Sequence, residues 1–466
     1  MAGTAGVGGT AGVGGTAAAA SFGGISSAGG SGSAGGPGGI VVALDRTKQQ
    51  MEGFGLSDLF ASPLTDATAE RLFDPNQGIG LTILRIGMDP SGGPLRSSWD
   101  SNPWNDIGMA RAHGATTIIA TVLSAPASCK TNLSINDGGH LLAGCYESWA
   151  ETVARFPGAV KQNSGVDLYA LSVANQPDFA ACGVDAPCYG LYPSMLYTAD
   201  ALVRFINVVG PKLHAASPTV KLIAPEPSDW AHLWSNDSAI GSSDPLSGVG
   251  YDYGHALARD ATAWAQVDVI GTQQYDSQVA RAFPADVPRT KPIWQTQMSG
   301  IKWWPEGGPS ADIDNGIAVA GWIHDALVNG DASAWLWFRY EAFELDDNEG
   351  LLLKDGTVAK RFYTFGNYSK FIRPGYTRVE LTGNDSKTLL LSAFKGADGT
   401  VVVVAINRGS AVSVPISISG SLAPMWVTPW VTSTTADLLA GPAFPIVGAS
   451  FIAKIEGQTV TTFVVR

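Results

Sequence analysis

The chain has 466 residues, with 29 Lys plus Arg against 41 Asp plus Glu, for a formal net charge of −12. Hydrophobic residues make up 45% and charged residues 15%, which is ample material for a large core and excludes a mostly disordered chain. The acidic balance argues against nucleic-acid and membrane-surface partners, and no apolar run reaches the roughly 18 residues of a membrane span.

Residues 1–39 are rich in Gly, Ala, Ser and Thr, with GTAGVG repeated at Gly3–Gly8 and Gly9–Gly14. No charge precedes Asp45. This segment reads as a flexible tether. It has no basic start and no Leu-rich stretch, so it does not read as a signal peptide. The expected location is secreted, or tethered to the outer cell surface.

From Gly53 onward short apolar strands alternate with amphipathic helices. The expected strands are Phe54–Phe60, Leu81–Gly87, Thr116–Leu123, Asp167–Asn175, Val220–Pro225, Asp268–Tyr275, Pro292–Thr296 and Ala334–Phe338. Helical patterns include Tyr146–Phe156 and Leu196–Leu213. This alternation predicts an α/β fold, a (β/α)8 TIM barrel over residues 53–373. In such barrels the chemistry sits at the C-terminal strand ends. Here those ends carry Arg85, Asn175, Tyr275 and Gln297.

After Pro374 the period changes to two. Leu389–Phe394, Thr400–Asn407, Val412–Ser419, Trp426–Val431 and Val460–Val465 read as strands. They predict an appended β-sandwich side domain over residues 374–466, with residues 40–52 supplying an N-terminal strand to it.

Four cysteines allow three disulfide connectivities. Cys129 with Cys145 and Cys182 with Cys188 is the simplest. Disulfides and a tether favour an exported protein. The six His show no metal spacing, and neither a metal nor a cofactor is expected.

Seven blocks carry a resemblance: QQMEGFG (Gln49–Gly55), GIGLTILRIGM (Gly78–Met88), GVDLYALSVANQPDF (Gly165–Phe179), IAPEPSDW (Ile223–Trp230), PIWQTQMSG (Pro292–Gly300), KRFYTFGNYSKFIRPGY (Lys360–Tyr376) and QTVTTFV (Gln458–Val464). In their order and spacing the chain resembles glycoside hydrolase family 30, and its xylan-active subfamilies in particular. The resemblance implies retaining hydrolysis of a β-linked polysaccharide such as xylan or glucuronoxylan by two Glu residues. It places the acid/base at position 176 and the nucleophile at position 297. Both are Gln here. The resemblance also implies a His at the end of the sixth strand, where Gln273 stands here.

A Gln side chain has neither an anionic oxygen nor a useful proton. Losing acid–base help costs about 10²–10⁴-fold, and losing the nucleophile closes the covalent route. Hydrolysis is therefore expected to be lost and carbohydrate binding kept. Glu226 and Asp178 are the carboxylates weighed as replacements. The alternatives are a non-catalytic surface scaffold or adhesion protein, or an active hydrolase of β-1,6-galactan or β-1,6-glucan using a displaced carboxylate.

The expected substrate-binding residues are Arg85, Asn175, Glu226, Tyr275, Trp99, Trp230, Trp303, Trp337 and Arg339. Tryptophans near strand ends would stack on the apolar faces of sugar rings. Resemblance gives Asn175 a bond to a sugar 2-hydroxyl and sets Arg85 beside position 297. The expected partner is a polysaccharide or oligosaccharide bound by a monomer, with no nucleic acid and no membrane span.

Overall fold

A computed structural model describes residues 39–96, 102–180, 192–235, 251–275, 280–300, 310–342, 347–384, 386–420 and 426–466. The tether falls outside them, as do Cys182, Cys188, Trp99 and Trp303. Among the described residues no helix is long and apolar enough to cross a membrane.

The chain enters through β1 (Ile40–Gln50) and then builds a barrel of parallel strands. These are β2 (Gly53–Ser57), β3 (Ile83–Met88), β4 (Thr117–Val122), β5 (Ala170–Ser172), β6 (Lys221–Pro225), β7 (Val269–Gln273), β8 (Ile293–Gln297) and β9 (Ala332–Glu341). Each pairs with the next, and β9 closes the ring on β2. A short β10 (Gly350–Leu352) adds to β9 in parallel. All eight barrel strands fall within the stretches expected from the sequence or overlap them closely. The fourth is shorter than its apolar run, because only Ala170–Ser172 keep ladder partners on both sides.

Alternation fixes what fills the barrel. Ile83, Ile119, Ala170, Ile223, Val269, Trp294, Ala334 and Leu336 form one buried interior cluster. Two positions along, the same inward face of β3 presents Arg85. Gly55 permits the β2–β3 approach, since a Cβ there would lie 2.3 Å from the Ile83 carbonyl oxygen.

Helices cover the outside and start where the sequence offers caps. Thr198 caps Ala199–Ala216 by accepting the Ala201 N–H, and Asp312 caps Ile313–Val328 through Asn315. The helix expected over Tyr146–Phe156 runs on to Ser164 through Pro157, and stops at left-handed Gly165.

The C-terminal strands are β11 (Thr377–Thr382), β12 (Leu389–Lys395), β13 (Val401–Asn407), β14 (Val412–Ser419), β15 (Trp426–Thr432), β16 (Leu439–Ala440), β17 (Phe444–Pro445), β18 (Ser450–Ile455) and β19 (Thr459–Val465). With β1 they form one curled sheet, ordered β16-β15-β19-β13-β12-β11-β1-β14-β18. β1 runs antiparallel to β11 and parallel to β14, so the N-terminal segment does supply a strand. One face, with Val42, Val403, Ile416, Phe451 and Phe463, makes the sandwich core. The other face, with Val402, Val404, Ile406 and Val460, joins the hydrophobic cluster of the barrel helices. β13 is thus buried on both faces, which explains its unbroken VVVVAI run. Gly39–Arg466 accordingly form one compact unit, with no loose joint at residue 373.

Candidate active site

Seven side chains meet at the C-terminal end of the barrel. Ser57 closes β2 and Arg85 lies within β3. Asn175 and Gln176 follow β5, Glu226 follows β6, Gln273 ends β7 and Gln297 ends β8. Two of these turns are left-handed at non-glycine residues, with φ of 47° at Gln176 and 63° at Glu226. Such backbone is uncommon and clusters at functional sites. The Gln176 N–H donates to the Glu226 carbonyl at 3.1 Å, so each turn holds the other.

Arg85 is fully buried and organises the group. Its Nη1 donates to Gln297 Oε1 at 2.6 Å and to Ser57 Oγ at 3.3 Å. Its Nη2 donates to Asn175 Oδ1 at 2.8 Å and ion-pairs with Glu226 Oε1. Arg can only donate, so the oxygens of Asn175 and Gln297 must face it.

The polarity then propagates. Gln273 Nε2 donates to Asn175 Oδ1 at 2.9 Å and to Glu226 Oε1 at 3.3 Å. Its Oε1 is left to accept from Gln176 Nε2 at 2.9 Å. Gln176 Oε1 in turn accepts from the Tyr192 hydroxyl at 3.1 Å. At the other end Gln297 Nε2 donates to the Tyr275 hydroxyl at 3.0 Å. Burial raises the pKa of both phenols above the ordinary tyrosine range, which keeps them as O–H groups.

The rim is aromatic, though not with the tryptophans expected. The Phe60 and Tyr192 rings sit 6.0 Å apart, and Phe60 follows β2 at a left-handed turn. Nothing in the spacing around Tyr192 marked it, because it lies 16 positions beyond Gln176 and at no strand end. Glu349 stands 3.8 Å from Arg339 Nε, and burial raises its carboxyl pKa.

Of the predicted site residues, the structure brings Arg85, Asn175, Gln176, Glu226, Tyr275 and Gln297 together. It separates others. Trp230 is fully buried in the helix layer, and a Cβ on Gly330 would meet its ring at 2.8 Å. Trp337 is also fully buried. It packs 6.1 Å from Trp335 on the outer face of β9, and its Nε1 donates to the Glu349 carbonyl at 2.6 Å. Both are core residues, as strand alternation and helix packing require. Arg339 is buried at 2% exposure and donates to the carbonyls of Glu341 and Phe60, so it ties loops together.

The two weighed substitutes are committed elsewhere. Glu226 is unexposed and paired with Arg85. Asp178 accepts from the Ser228 N–H and hydroxyl and from His232 Nδ1 at 2.6 Å. Away from the centre, Cys129 and Cys145 form a disulfide. The Cys182–Cys188 pairing lies outside the described residues.

Comparison with known proteins agrees with this architecture. The profile of the glycosyl hydrolase family 30 beta sandwich domain matches residues 375–463. A glucuronoxylanase, XynC of Bacillus subtilis, is 28% identical over 447 residues, covering 92% of each chain. The family 30 subfamily 8 xylanase Xyn30A of Clostridium acetobutylicum superposes with a TM-score of 0.75 at 27% identity, covering 92% of this chain and 99% of that one. The chain is similar to glycoside hydrolase family 30 in both sequence and fold. A family 30 endoxylanase of Clostridium papyrosolvens C71 superposes with a TM-score of 0.72 at 26% identity, over 92% of this chain and 100% of that one. The likeness to family 30 therefore runs through the barrel and the side domain together.

Proposed function

We propose that this chain is a family 30 protein that binds β-linked polysaccharide of the xylan type without hydrolysing it. The observation that carries the reading is the bonding of Gln176 and Gln297. Each is held by the surrounding framework, yet each is an amide where retention needs an acid/base and a nucleophile. Likeness to a glucuronoxylanase and to xylanases supports the polysaccharide class. The Phe60–Tyr192 rim beside Gln176 supports retention of a sugar-binding surface. The Cys129–Cys145 disulfide supports an exported protein.

A displaced-carboxylate enzyme fits less well, because Glu226 and Asp178 are buried and bonded. The deciding experiment pairs two measurements on one panel of xylan, glucuronoxylan, β-1,6-glucan and β-1,6-galactan. Reducing-sugar release should stay at background for all four. Affinity electrophoresis should show retardation by the xylans. Turnover at rates typical of hydrolases would defeat the non-hydrolytic reading, and absence of retardation would defeat the binding one.

A further inference from the structure

We propose that the chain carries a second binding site, remote from the first, in which Lys48, Arg289 and Arg378 receive a phosphoryl dianion, either free phosphate or the phosphate group of a small ester. The inference goes beyond the carbohydrate reading and does not depend on it.

The site is a cleft of about 560 Å³ between the side domain and the barrel. Strand alternation builds one wall. On β11, Val379 turns into the sandwich core, so Arg378 and Glu380 turn the other way, toward the cleft. Lys48 comes from β1, which runs antiparallel to β11. The other wall holds Arg289, in the segment before β8, and Asp331, the last residue before β9. Both stand on the side of the N-terminal strand ends, whereas Asn175, Gln176 and Gln297 stand at the C-terminal ends.

Arg378 is held in place. Its side chain is 9% exposed. Gln49 Nε2 donates to the carbonyls of Leu327 and Ala332 at 2.6 and 3.0 Å, which leaves the Gln49 oxygen to accept from Arg378 Nε at 2.8 Å. Arg378 Nη2 donates to Asp331 Oδ1 at 2.7 Å. Its third nitrogen, Nη1, has no acceptor among the described residues. Burial outweighs the pull of Asp331 and holds the guanidinium pKa below its ordinary value, so this cation is short of counter-charge. The other two cations also keep unused donors. Lys48 Nζ stands 3.6 Å from Glu380 Oε2, too far for a hydrogen bond. Arg289 Nη2 donates to the Phe283 carbonyl at 2.9 Å, while its Nη1 is 4.0 Å from Asp331 Oδ2.

Charge decides the sign of the ligand. Glu380 also pairs with Arg46 at 3.0 Å, so four cations share two carboxylates and a double positive charge is left over. The whole chain carries −12, so this surplus is no general property of its surface. A dianion cancels it. Arg and Lys donors arriving from three chain segments suit a tetrahedral group with several acceptor oxygens. The cleft falls in the size range of small-molecule sites, and Ala282, Val328 and Leu381 give it apolar sides that a carried group can cover. A simple staple between side domain and barrel would account for Arg378 and Asp331, and leaves Lys48 and Arg289 without a role.

The test titrates the full chain calorimetrically with inorganic phosphate, glycerol 1-phosphate and glucose 6-phosphate at constant ionic strength, with sodium chloride as the blank. At least one phosphate compound should bind saturably at one site and raise the Tm. Lys48→Gln and Arg289→Gln should each weaken that binding about tenfold. Glu380→Gln removes a repelling carboxylate and should tighten it about threefold. Lys161→Gln takes the same charge from the exposed surface of the helix Tyr146–Ser164 and should leave affinity within about twofold. Arg378→Gln should abolish binding. It also unpairs Asp331, so if it fails to fold, Lys48→Gln and Arg289→Gln remain as the test. An ester that binds more tightly than inorganic phosphate identifies a carried group as the ligand, and equal affinity identifies the free ion. The proposal is overturned if no phosphate compound binds beyond the chloride blank. It is also overturned if Lys161→Gln weakens binding as much as Lys48→Gln and Arg289→Gln, since the attraction would then be diffuse, or if Glu380→Gln weakens it. A matching loss of oligosaccharide binding in Lys48→Gln and Arg289→Gln would show that the two sites are not separate, and overturns it too.

Discussion

Gln176 and Gln273 share one amide–amide hydrogen bond, with Nε2 of the first donating to Oε1 of the second at 2.9 Å. Gln273 cannot turn around, because its own nitrogen serves Asn175 and Glu226. Any group at position 176 therefore faces a carbonyl oxygen. An amide or a protonated acid satisfies it, and a carboxylate does not. The three glutamines of this site are mutually consistent, and a change at one alters what the others can accept.

The buried tryptophans and the rim aromatics should separate in experiment. Trp230→Ala empties a filled core site and should cost about 3–5 kcal/mol, read by denaturant unfolding. Phe60→Ala touches a half-exposed rim and should shift stability by less than about 1 kcal/mol while weakening oligosaccharide binding several-fold. A Trp230→Ala protein that keeps its stability and loses affinity would return that residue to the groove.

This pair also marks how far the sequence could be read. Strand order, barrel closure and the central residues follow from period-two runs ending in polar side chains, as at Arg85 and Gln297. The orientation of Trp230 does not, because a residue just past a strand end can face either the cleft or the helix layer. Tyr192 was hidden for another reason: it meets Gln176 from 16 positions along the chain, away from any strand end, and no local pattern encodes that contact. The strand Ser450–Ile455 was missed although SFIAKI alternates, since its exposed Ile452 blurs the apolar–polar contrast.

The Cys129–Cys145 bridge closes a loop with a sequence separation of 16. Chain-entropy reasoning assigns such a loop about 3 kcal/mol. Replacing both cysteines by serine should lower unfolding free energy by roughly that amount. Lys130 beside it donates to the carbonyls of Ile135, Asn136 and Ser194, so the loop should stay folded without the bridge. Equal stability with and without the bridge would mean that those bonds alone hold the loop.

Asp106 offers a pH test. It is 4% exposed, and burial raises its carboxyl pKa to about 6 although the Leu64 N–H donates to it. Between the unfolded value near 4 and this one, the folded state binds more protons than the unfolded state. Stability thus falls as pH rises through that window, and the full penalty, on the order of 2–3 kcal/mol, applies above pH 6. Asp106→Asn keeps an oxygen for Leu64 and cannot ionise. It should be the more stable protein at pH 7.5 and nearly equal to the parent at pH 4. A constant difference across that range would show that Asp106 does not titrate as its burial requires.

Restoring the carboxylates tests the centre itself. Gln297→Glu supplies a nucleophile already within reach of Arg85, but no acid. Xylan, with its poor leaving group, should remain nearly uncut. An aryl β-xyloside needs no protonation to leave, so it should release a burst of phenol and then stall at the glycosyl-enzyme, for want of a base. Gln176→Glu alone has nothing to attack the sugar, and neither substrate should turn over. The double change should cleave xylan with retention, on the order of 10³-fold above the parent. Gln273 then shapes its pH profile. Its carbonyl favours the protonated form of Glu at 176, so the acid step should persist to higher pH while the base step lags, and a burst should remain visible in the double variant. Pre-steady-state phenol release by the parent and the three variants checks all of this. If Gln176→Glu alone matches the double change, position 297 is not the nucleophile.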